Sequence, residues 1–443
     1  MKAVVLDGFN EAGDIQSRIT AVVTRELGRR GWPAEVIAPR DLDLAPCTGC
    51  FGCWTRTPGK CVQKDDAHML CRAVMASDLM VIISPVTFGG YSSSLKGAMD
   101  RVIGLVLPFF TVIRGEVHHK PRYDRIPAMA ALGVSLGECQ ACPALFETLL
   151  YRNAVNLYTP SLAVEVAGDK ESGNLLEKKV ANWLSKVESS VFSGLPERRI
   201  TRDDFAADPG VRLTPQPSER TGKKALLLSG SPRKRSTSSV LGDELSVYLR
   251  ERDWQTDRIR ILPSLRDREK RARLTEALDE ADLVVLLSPL YVDSFPAPVT
   301  EALESVAESR RKDPPHKNQG FMAVLNCGFP EASQNYTALA IARQFALETG
   351  FTWLGGLALG MGGAINGESL GHRGAMARNV RKALGLVAAA FDRGEPVPPE
   401  AADRMGRPHL PRWLYLALGN WNFKRQARKN GAIGRILARP YQT

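Results

Sequence analysis

The chain has 443 residues, of which 44% are hydrophobic and 24% are charged. This composition excludes a wholly disordered chain, and the length predicts two or three domains. The net charge is +11, but Ala401–Thr443 holds nine basic residues and one acidic residue, so the rest of the chain is nearly neutral and a nucleic-acid-binding body is disfavoured. Because no apolar run is long enough to span a membrane and the chain start lacks a signal-peptide pattern, we expect a cytoplasmic protein.

The sequence contains a divergent internal repeat. Four apolar segments recur in the same order: Lys2–Gly8 with Lys224–Gly230, Ala76–Pro85 with Glu280–Pro289, Met129–Val134 with Met322–Cys327, and Ser161–Val164 with Gly356–Leu359. The offsets are 222, 204, 193 and 195 residues. Apolar strands that alternate with amphipathic helices are typical of βαβ units. The sequence therefore predicts an α/β protein with two tandem doubly wound parallel sheets.

The repeat sets the expected domain boundaries. We predict a first domain over residues 1–194, a linker over 195–222, a second domain over 223–396 and a basic, aromatic, helical tail over 397–443. The linker is rich in proline, glycine and charged residues, as connecting segments are. The first copy carries 18 additional residues between its first and third strands, and these correspond to a cysteine-rich segment.

Four cysteines in that segment are closely spaced. Cys47, Cys50 and Cys53 recur at every third residue, and Cys61 follows a Pro58-Gly59 turn. Four thiolates are what a [4Fe–4S] cluster requires. Zinc is an alternative, although it usually takes two separated Cys-x2-Cys pairs, and a structural loop without metal is another.

Other polar residues of the first copy have simpler interpretations. Asp65 and Asp66 are expected to cap the following helix, and His118 and His119 to lie in a loop, either beside a redox site or on the surface. Cys71, Cys139 and Cys327 are expected to be buried small side chains. Cys139 and Cys142 have the spacing of a redox pair, but an incidental pair is the favoured interpretation.

The segment Ser229–Ser239 follows the first strand of the second copy and opens its first helix. Backbone N–H groups at such a helix start attract a phosphate. Arg233 adds positive charge, and the serines allow close approach. The alternative is an ordinary serine-rich helix cap.

These loops resemble those of the flavodoxin-like NAD(P)H-dependent FMN reductases. The resemblance implies that the FMN phosphate is bound by Ser229, Ser231, Pro232, Arg233, Ser236, Thr237 and Ser238. It implies that the flavin ring lies along a Ser-Pro loop, present in the first copy as Ser84, Pro85, Val86, Thr87, Phe88 and Gly89. In the second copy the same loop is Ser288, Pro289, Leu290 and Tyr291, with Asn326 and Gly328 at a later strand end.

The two copies depart from that pattern differently. In the first copy the phosphate loop is acidic over Asp7–Asp14, whereas its ring loop matches better than that of the second copy. Members of the resembled family pair as dimers with flavins at the interface. We therefore expect a dimer fused into one chain, with one FMN anchored in the second copy and completed by the first.

The cysteine spacing resembles that of the iron–sulfur flavoproteins, a branch of the same family, which implies that Cys47, Cys50, Cys53 and Cys61 ligate a [4Fe–4S] cluster. The expected function is an FMN-dependent oxidoreductase that takes electrons from NAD(P)H and passes them to a small-molecule or protein acceptor. The alternatives are a non-enzymatic redox carrier or sensor and a flavin-binding interaction protein. The tail is expected to pack its aromatic face on the chain's own domains, with a peripheral contact to an anionic membrane as the alternative.

Overall fold

The computed structural model describes residues 1–137, 139–189, 199–213 and 223–442. The chain forms two compact units, one comprising Met1–Arg199 and Leu416–Thr443 and the other comprising Ile200–Tyr415. Residues 195–198 and 214–222 of the predicted linker lie outside the described residues. Within the described part of the chain, no helix has the length and apolarity needed to span a membrane.

The first unit alternates strands and helices along the chain. Its elements are β1 (Ala3–Asp7), α1 (Asp14–Arg29), β2 (Ala34–Ile37), α2 (Gly52–Thr55), α3 (Ala67–Met75), β3 (Leu79–Pro85), α4 (Ser93–Arg101), β4 (Val106–Ile113), β5 (Glu116–Pro121), β6 (Ala128–Ser135), α5 (Cys142–Leu157), β7 (Leu162–Gly168) and α6 (Gly173–Ser189).

Five of these strands form a parallel sheet in the order β2-β1-β3-β6-β7. This is the flavodoxin-like order, in which ligands bind beyond the carboxyl ends of the strands. The sheet is covered on both faces, so its central strands are continuous apolar runs, and every residue of β3 is buried. One face packs on α1 and α6, where Ile19, Val23 and Trp183 are almost fully buried.

The second unit repeats the arrangement. Its elements are β8 (Lys223–Ser229), α7 (Thr237–Arg250), β9 (Trp254–Arg260), α8 (Ile261–Leu265), α9 (Arg268–Glu280), β10 (Leu283–Pro289), α10 (Ala297–Lys312), β11 (Gly320–Asn326), α11 (Tyr336–Glu348), β12 (Thr352–Leu359), α12 (Gly362–Ile365), α13 (Arg378–Asp392), α14 (Pro399–Met405) and α15 (Arg412–Lys429). The division between the units falls within α15. The parallel sheet has the order β12-β11-β10-β8-β9, the same topology. Two tandem doubly wound sheets and a helical C-terminal region are therefore confirmed.

The sheet registers correct the alignment of the later repeats. Pro85 pairs with Val134, and Pro289 pairs with Asn326, so Val134 corresponds to Asn326. In the same way Ala167 corresponds to Leu359. Both pairs have an offset of 192 residues, so the offsets of 193 and 195 taken from the sequence were wrong. Short apolar segments of similar composition can be aligned at several offsets in a sequence comparison. The hydrogen-bond register of the strands determines which offset is correct.

The segment with His118 and His119 is a hairpin strand and not a loop. β4 and β5 form a two-stranded antiparallel sheet in which Thr111 pairs with His118 and Phe110 with His119. His118 is fully buried. The apolar alternation of Val106–Ile113 favours a strand, and Gly115, with φ of +88°, permits the turn.

Candidate functional site

The loop between β8 and α7 is closely packed beneath the start of the helix. The Gly230 N–H donates to the carbonyl of Leu287 at 2.8 Å. A Cβ atom at Gly230 would lie 2.6 Å from Val299 and 2.9 Å from Ser288 Oγ, so only glycine fits there. The backbone of this loop is therefore held directly against the neighbouring strand.

Serines open the helix that follows. Ser236 Oγ accepts the Ser239 N–H at 3.1 Å, and Ser239 Oγ accepts the Ser236 N–H at 2.9 Å, which forms a capping box. The capping interpretation is thus correct for Ser236. Ser231 of the loop and Ser238 of the first turn of α7 are nearly fully buried. Ser231 Oγ accepts the Arg233 N–H at 3.3 Å.

The charge around this helix start is positive. Arg233, Lys234 and Arg235 are exposed beside the loop, and residues 229–239 contain no acidic residue. The N-terminus of α7 contributes a partial positive charge and backbone N–H groups. Together they suit a phosphate group.

The second loop follows β10 and turns tightly. Tyr291 N–H donates to Ser294 O at 2.8 Å, and Ser294 N–H donates to Tyr291 O at 3.0 Å. The central residues Val292 and Asp293 have φ of +46° and +58°. A β-branched valine rarely adopts this left-handed conformation. Pro289, Leu290 and Tyr291 remain half-exposed along this loop.

Asn326, at the end of β11, joins the two loops. Its side-chain Nδ2 donates to Ser238 Oγ at 2.8 Å and to the carbonyl of Ser288 at 3.1 Å. Its backbone carbonyl accepts the Leu290 N–H at 2.8 Å. The predicted phosphate and ring loops of the second unit therefore belong to one hydrogen-bonded assembly at the carboxyl edge of the sheet.

Two further segments complete this edge. Thr237 Oγ1 donates to the carbonyl of Gly362 at 2.8 Å, which ties α7 to the segment after β12. The Tyr415 hydroxyl donates to the carbonyl of Gly328 at 2.8 Å. Gly328 itself is exposed, with open space around it. Tyr415 has no motif around it in the sequence that could have predicted this contact.

The equivalent loop of the first unit has a different chemistry. Asp7 occupies the position of Ser229, and its buried carboxylate pairs with Arg40 at 3.2 Å and accepts a hydrogen bond from Gln16. Asn10 Oδ1 accepts the Ser94 N–H at 3.0 Å. Glu11 and Asp14 are exposed at the start of α1. Negative charge here disfavours a phosphate.

The ring loop of the first unit forms a similar turn but is more enclosed. Thr87 and Gly90 exchange backbone hydrogen bonds of 3.0 and 2.7 Å, and the central residues Phe88 and Gly89 have positive φ. A Cβ atom at Gly89 would lie 2.6 Å from Leu145 of α5. Ser84, Pro85, Phe88 and Gly89 are buried, while Val86 and Thr87 are half-buried.

The four closely spaced cysteines lie between β2 and α3 of the first unit. Cys50 is exposed, and Cys47, Cys53 and Cys61 are half-buried. Burial, followed by the neighbouring thiols of Cys47, Cys61 and Cys50, raises the pKa of Cys53. Burial and the nearby Asp100 raise the pKa of Cys47 to about 12. The four sulfurs therefore lie in one neighbourhood, where thiolates need a compensating positive charge.

The donor chemistry of this segment suits a thiolate-bound metal group. Four thiolates are the ligand set of a [4Fe–4S] cluster, and zinc takes the same set. Among the described residues, no group of three ligand atoms lying within 4.8 Å of one another includes any of these four cysteines.

Arg101, at the end of α4, is a buried cation beside this segment. Its guanidinium donates to Cys61 Sγ at 3.1 Å and to both oxygens of Asp65 at 2.7 Å. Burial opposes the charge on Arg101, but the hydrogen bonds with Asp65 and Cys61 raise its pKa. The sequence prediction missed this residue, because an arginine at a helix end is ordinary in a single sequence.

The predicted cap of α3 is only partly correct. Asp65 Oδ1 accepts the Ala67 N–H at 3.3 Å, but its carboxylate mainly binds Arg101. Asp66 occupies the cap position without a capping hydrogen bond, and it accepts the Asp43 N–H at 2.9 Å instead. These carboxylates fasten the cysteine segment to its surroundings.

Aromatic rings cover the cysteine segment. The Trp54 ring lies 5.1 Å from Phe51, 4.5 Å from His119 and 5.4 Å from Phe423 of α15. The indole N–H of Trp54 donates to the carbonyl of Val106 at 3.0 Å. Burial lowers the pKa of His119 to about 4. His119 thus packs against the segment as a neutral ring near neutral pH.

The end of the chain closes over the same segment. Arg122 is buried and donates to the carbonyls of Ile436 and Ala438 at 3.1 and 2.7 Å. Asn430 Nδ2 donates to the carbonyl of Thr55 at 3.1 Å. A Cβ atom at Gly59 would lie 2.5 Å from Pro440.

The part of the tail after residue 415 belongs to the first unit, and its aromatic residue Phe423 packs on Trp54 of that unit. Trp413 and Trp421 nevertheless stay exposed, and the predicted membrane contact stays a prediction.

The remaining cysteines differ from one another. Cys71 and Cys327 are buried, as predicted. Cys139 is not a buried small side chain, because it is half-exposed and forms a disulfide with Cys142. The interpretation as an incidental pair was therefore wrong.

Parts of the chain resemble known proteins in sequence and in fold. A curated iron–sulfur flavoprotein of Methanocaldococcus jannaschii is 36% identical over 101 residues, which cover 23% of this chain and 51% of the relative. One from Archaeoglobus fulgidus is 32% identical over 80 residues, 18% of this chain and 38% of the relative. The chain spans about half the length or less of such relatives. A solved NAD(P)H:quinone oxidoreductase from Methanothermobacter marburgensis aligns with 41% of this chain and 96% of its own, at 12% identity and a TM-score of 0.33.

The match to a family is more extensive. It covers residues 1–169 and 223–346, one segment in each unit, and the family is described as NADPH-dependent FMN reductase. The first segment contains all five strands of the first parallel sheet, and the second contains β8 to β11, four of the five strands of the second. The chain belongs to the NADPH-dependent FMN reductase family, as a tandem arrangement of two flavodoxin-like units.

Proposed function

We propose that this chain is an FMN-dependent oxidoreductase that takes electrons from NAD(P)H and passes them to a small-molecule or protein acceptor. Membership of the FMN reductase family supports a flavin-dependent redox function. When bound, FMN accepts a hydride and releases electrons in one or two steps. The protein residues bind and orient it.

The observation that carries the proposal is the bridge made by Asn326. It hydrogen-bonds to Ser238 of one loop and to the carbonyl of Ser288 of the other. A cofactor with a phosphate at one end and a flat ring at the other needs two such loops held at a fixed separation. The second unit has both loops and the residue that joins them.

We assign the FMN phosphate to the loop of the second unit. The serine hydroxyls and the N-terminal N–H groups of α7 are the donors, and Arg233 supplies charge. The half-exposed Pro289–Tyr291 segment is assigned to the ring. Since Asp7, Glu11 and Asp14 make the first unit unsuitable for a phosphate, the expected stoichiometry is one FMN per chain.

We assign a [4Fe–4S] cluster to Cys47, Cys50, Cys53 and Cys61. When bound, a cluster accepts and releases single electrons. Arg101 would hold Cys61 in place and offset negative charge on its sulfur, because its guanidinium already donates to that atom. Arg122 contributes a second buried cation near Cys53.

The first experiment measures cofactors in anaerobically purified protein. We expect about one FMN, four iron and four sulfide per chain. Cys50→Ala should lose the iron and keep FMN, because other loops hold the flavin. Cys139→Ser, which alters a cysteine outside both the cysteine segment and the flavin loops of the second unit, is the control and should keep both. Iron below one per chain would exclude the cluster and leave the flavin assignment intact.

The second experiment tests for an enzyme. NADH or NADPH is mixed with the FMN-loaded protein and a quinone, and the decrease in nicotinamide absorbance is followed. Continuous turnover supports the proposal. Reduction of the bound flavin by dithionite but by neither nicotinamide would instead show a redox carrier.

A further inference from the structure

The segment between β6 and α5 holds two cysteines that the proposed function does not use. Cys139 and Cys142 are joined by a disulfide, with their Cα atoms 5.4 Å apart. Cys139 is half-exposed, whereas Cys142 is only 3% exposed. The two sulfurs therefore differ in access, so an external reactant meets Cys139 first.

The start of α5 favours charge on the accessible sulfur. The Cys142 N–H donates to Cys139 Sγ at 3.0 Å. Cys142 is the first residue of the 16-residue helix, and Pro143 follows it in the first turn. A backbone donor and the positive end of a helix both stabilise a thiolate. Of the two sulfurs, Cys139 Sγ is therefore the one that already accepts a backbone hydrogen bond.

The pair also has a rigid support. Leu145 and Phe146, in the first turn of α5, are buried against Gly89 and Gly133 at the carboxyl edge of the sheet. The helix start that carries Cys142 is thus held by packed structure. A rigid site of this kind allows the disulfide to open and close again without rearranging the core.

We propose that Cys139 and Cys142 form a redox-active disulfide that exchanges two electrons with an external dithiol. One thiolate of the dithiol attacks Cys139 Sγ. The bond between Cys139 and Cys142 breaks, a mixed disulfide forms, and Cys142 leaves as a thiolate that takes up a proton. The second thiol of the reductant then attacks the reductant's other sulfur, which is bonded to Cys139 in the mixed disulfide. This step closes a disulfide within the reductant and releases Cys139 as a thiolate. The chain gains two electrons, and the dithiol becomes a disulfide.

The first test uses the unmodified full chain and does not depend on FMN. The protein is equilibrated with reduced and oxidised dithiothreitol at varied ratios, quenched with acid and alkylated, and peptides are identified by mass spectrometry. We expect Cys139 and Cys142 to change together from closed to alkylated, with the dependence of a two-electron couple. A pair that stays closed in excess reduced dithiothreitol without denaturant, or that never closes, would overturn the proposal.

The second test separates the roles of the two sulfurs. Cys142→Ser should form a mixed disulfide at Cys139 with 5,5′-dithiobis(2-nitrobenzoate), which dithiothreitol reverses. In the matched variant Cys139→Ser, the buried Cys142 should react at least about tenfold more slowly, since buried thiols are inert. Equal reaction rates at the two positions would contradict the assigned order of attack. Peptide-resolved detection keeps the other cysteines out of both measurements.

Discussion

The side-chain amide nitrogen of Asn326 lies 2.8 Å from the Oγ of Ser238. The corresponding position in the first unit is Val134, which has no polar side chain. The two units therefore share a fold, but only the second joins its strand-end loops through this amide. The candidate cofactor site therefore lies in the second unit, and the first unit repeats its fold without this hydrogen-bonded bridge.

Asn326→Ala should weaken FMN binding about tenfold. The change removes two hydrogen bonds that hold the loops and leaves the Ser238 hydroxyl without that partner, at a cost of roughly 1–2 kcal/mol. Fluorescence titration of the apoprotein with FMN measures it. Asn335→Ala is the control, because Asn335 is a buried amide of the same unit that bonds to the carbonyls of Ala332 and Leu359 instead. Equal loss in both variants would show a general stability effect.

Ser231→Asp combined with Arg233→Glu should abolish FMN retention. The changes place negative charge at the start of α7, where a phosphate needs positive charge. The matched variant Glu11→Gln with Asp14→Asn alters the equivalent loop of the first unit and should retain FMN. Flavin absorbance per chain after gel filtration is the measurement. Unchanged flavin in the first variant would place the phosphate elsewhere.

Arg101→Leu should destabilise the first unit by about 3–5 kcal/mol, because it leaves the buried Asp65 carboxylate without its cation. Arg101→Leu with Asp65→Asn should recover much of that loss. Hydrogen bonds from Arg101 outweigh burial and lower the pKa of Asp65. The stabilisation is thus present above about pH 4 and is lost as the pH falls further. The difference between wild type and Arg101→Leu, measured by urea unfolding, should shrink over that range.

His119 should make stability depend on pH in a second window. Burial lowers its pKa to about 4 from 6.5. The unfolded chain therefore binds a proton between these values while the folded chain does not. Stability should fall by roughly 2–3 kcal/mol between pH 6.5 and pH 4. His119→Phe keeps a ring beside Trp54 and should flatten the profile in this range. A profile identical to that of the wild type would exclude His119 as the cause.

Val292→Asn should stabilise the second unit by about 1 kcal/mol. Val292 has φ of +46°, a conformation that asparagine tolerates and that strains a β-branched residue. Val247→Asn is the control, since Val247 is exposed within α7, where valine and asparagine have similar helix propensities and little change in stability is expected. Thermal unfolding of both variants tests the sign. A lower melting temperature for Val292→Asn would mean that the packing contacts of the valine side chain outweigh the strain of its backbone conformation.

The sequence was sufficient to predict two parallel sheets, because buried strands such as Leu79–Pro85 and Leu283–Pro289 are continuous apolar runs. It also identified the loops at their carboxyl ends, since serine and glycine follow the strands directly. The later strands were misaligned by one and three residues. Their residues are so similar in size and polarity that only hydrogen-bond register distinguishes the alternatives.

Long-range side-chain partners could not be predicted. Arg101 reaches Cys61 and Asp65 across 40 and 36 residues of chain, and Arg122 reaches Ala438 across 316. A single sequence carries no periodic signal for such pairs. The disulfide of Cys139 and Cys142 was visible as a spacing, but the exposure that distinguishes its two sulfurs comes from the fold.

The closure of residues 430–440 over the cysteine segment affects how the protein is made. A ribosome completes Cys47–Cys61 about 370 residues before Asn430 emerges, which at 5–20 residues per second is roughly 20–70 seconds. During that interval the four thiols lack the cover that Arg122 and Asn430 later fasten in place. For the cluster proposed above, this interval is when iron and sulfide would reach the thiols most easily. Residues 430–440 would then cover the cysteine segment after the cluster had been assembled.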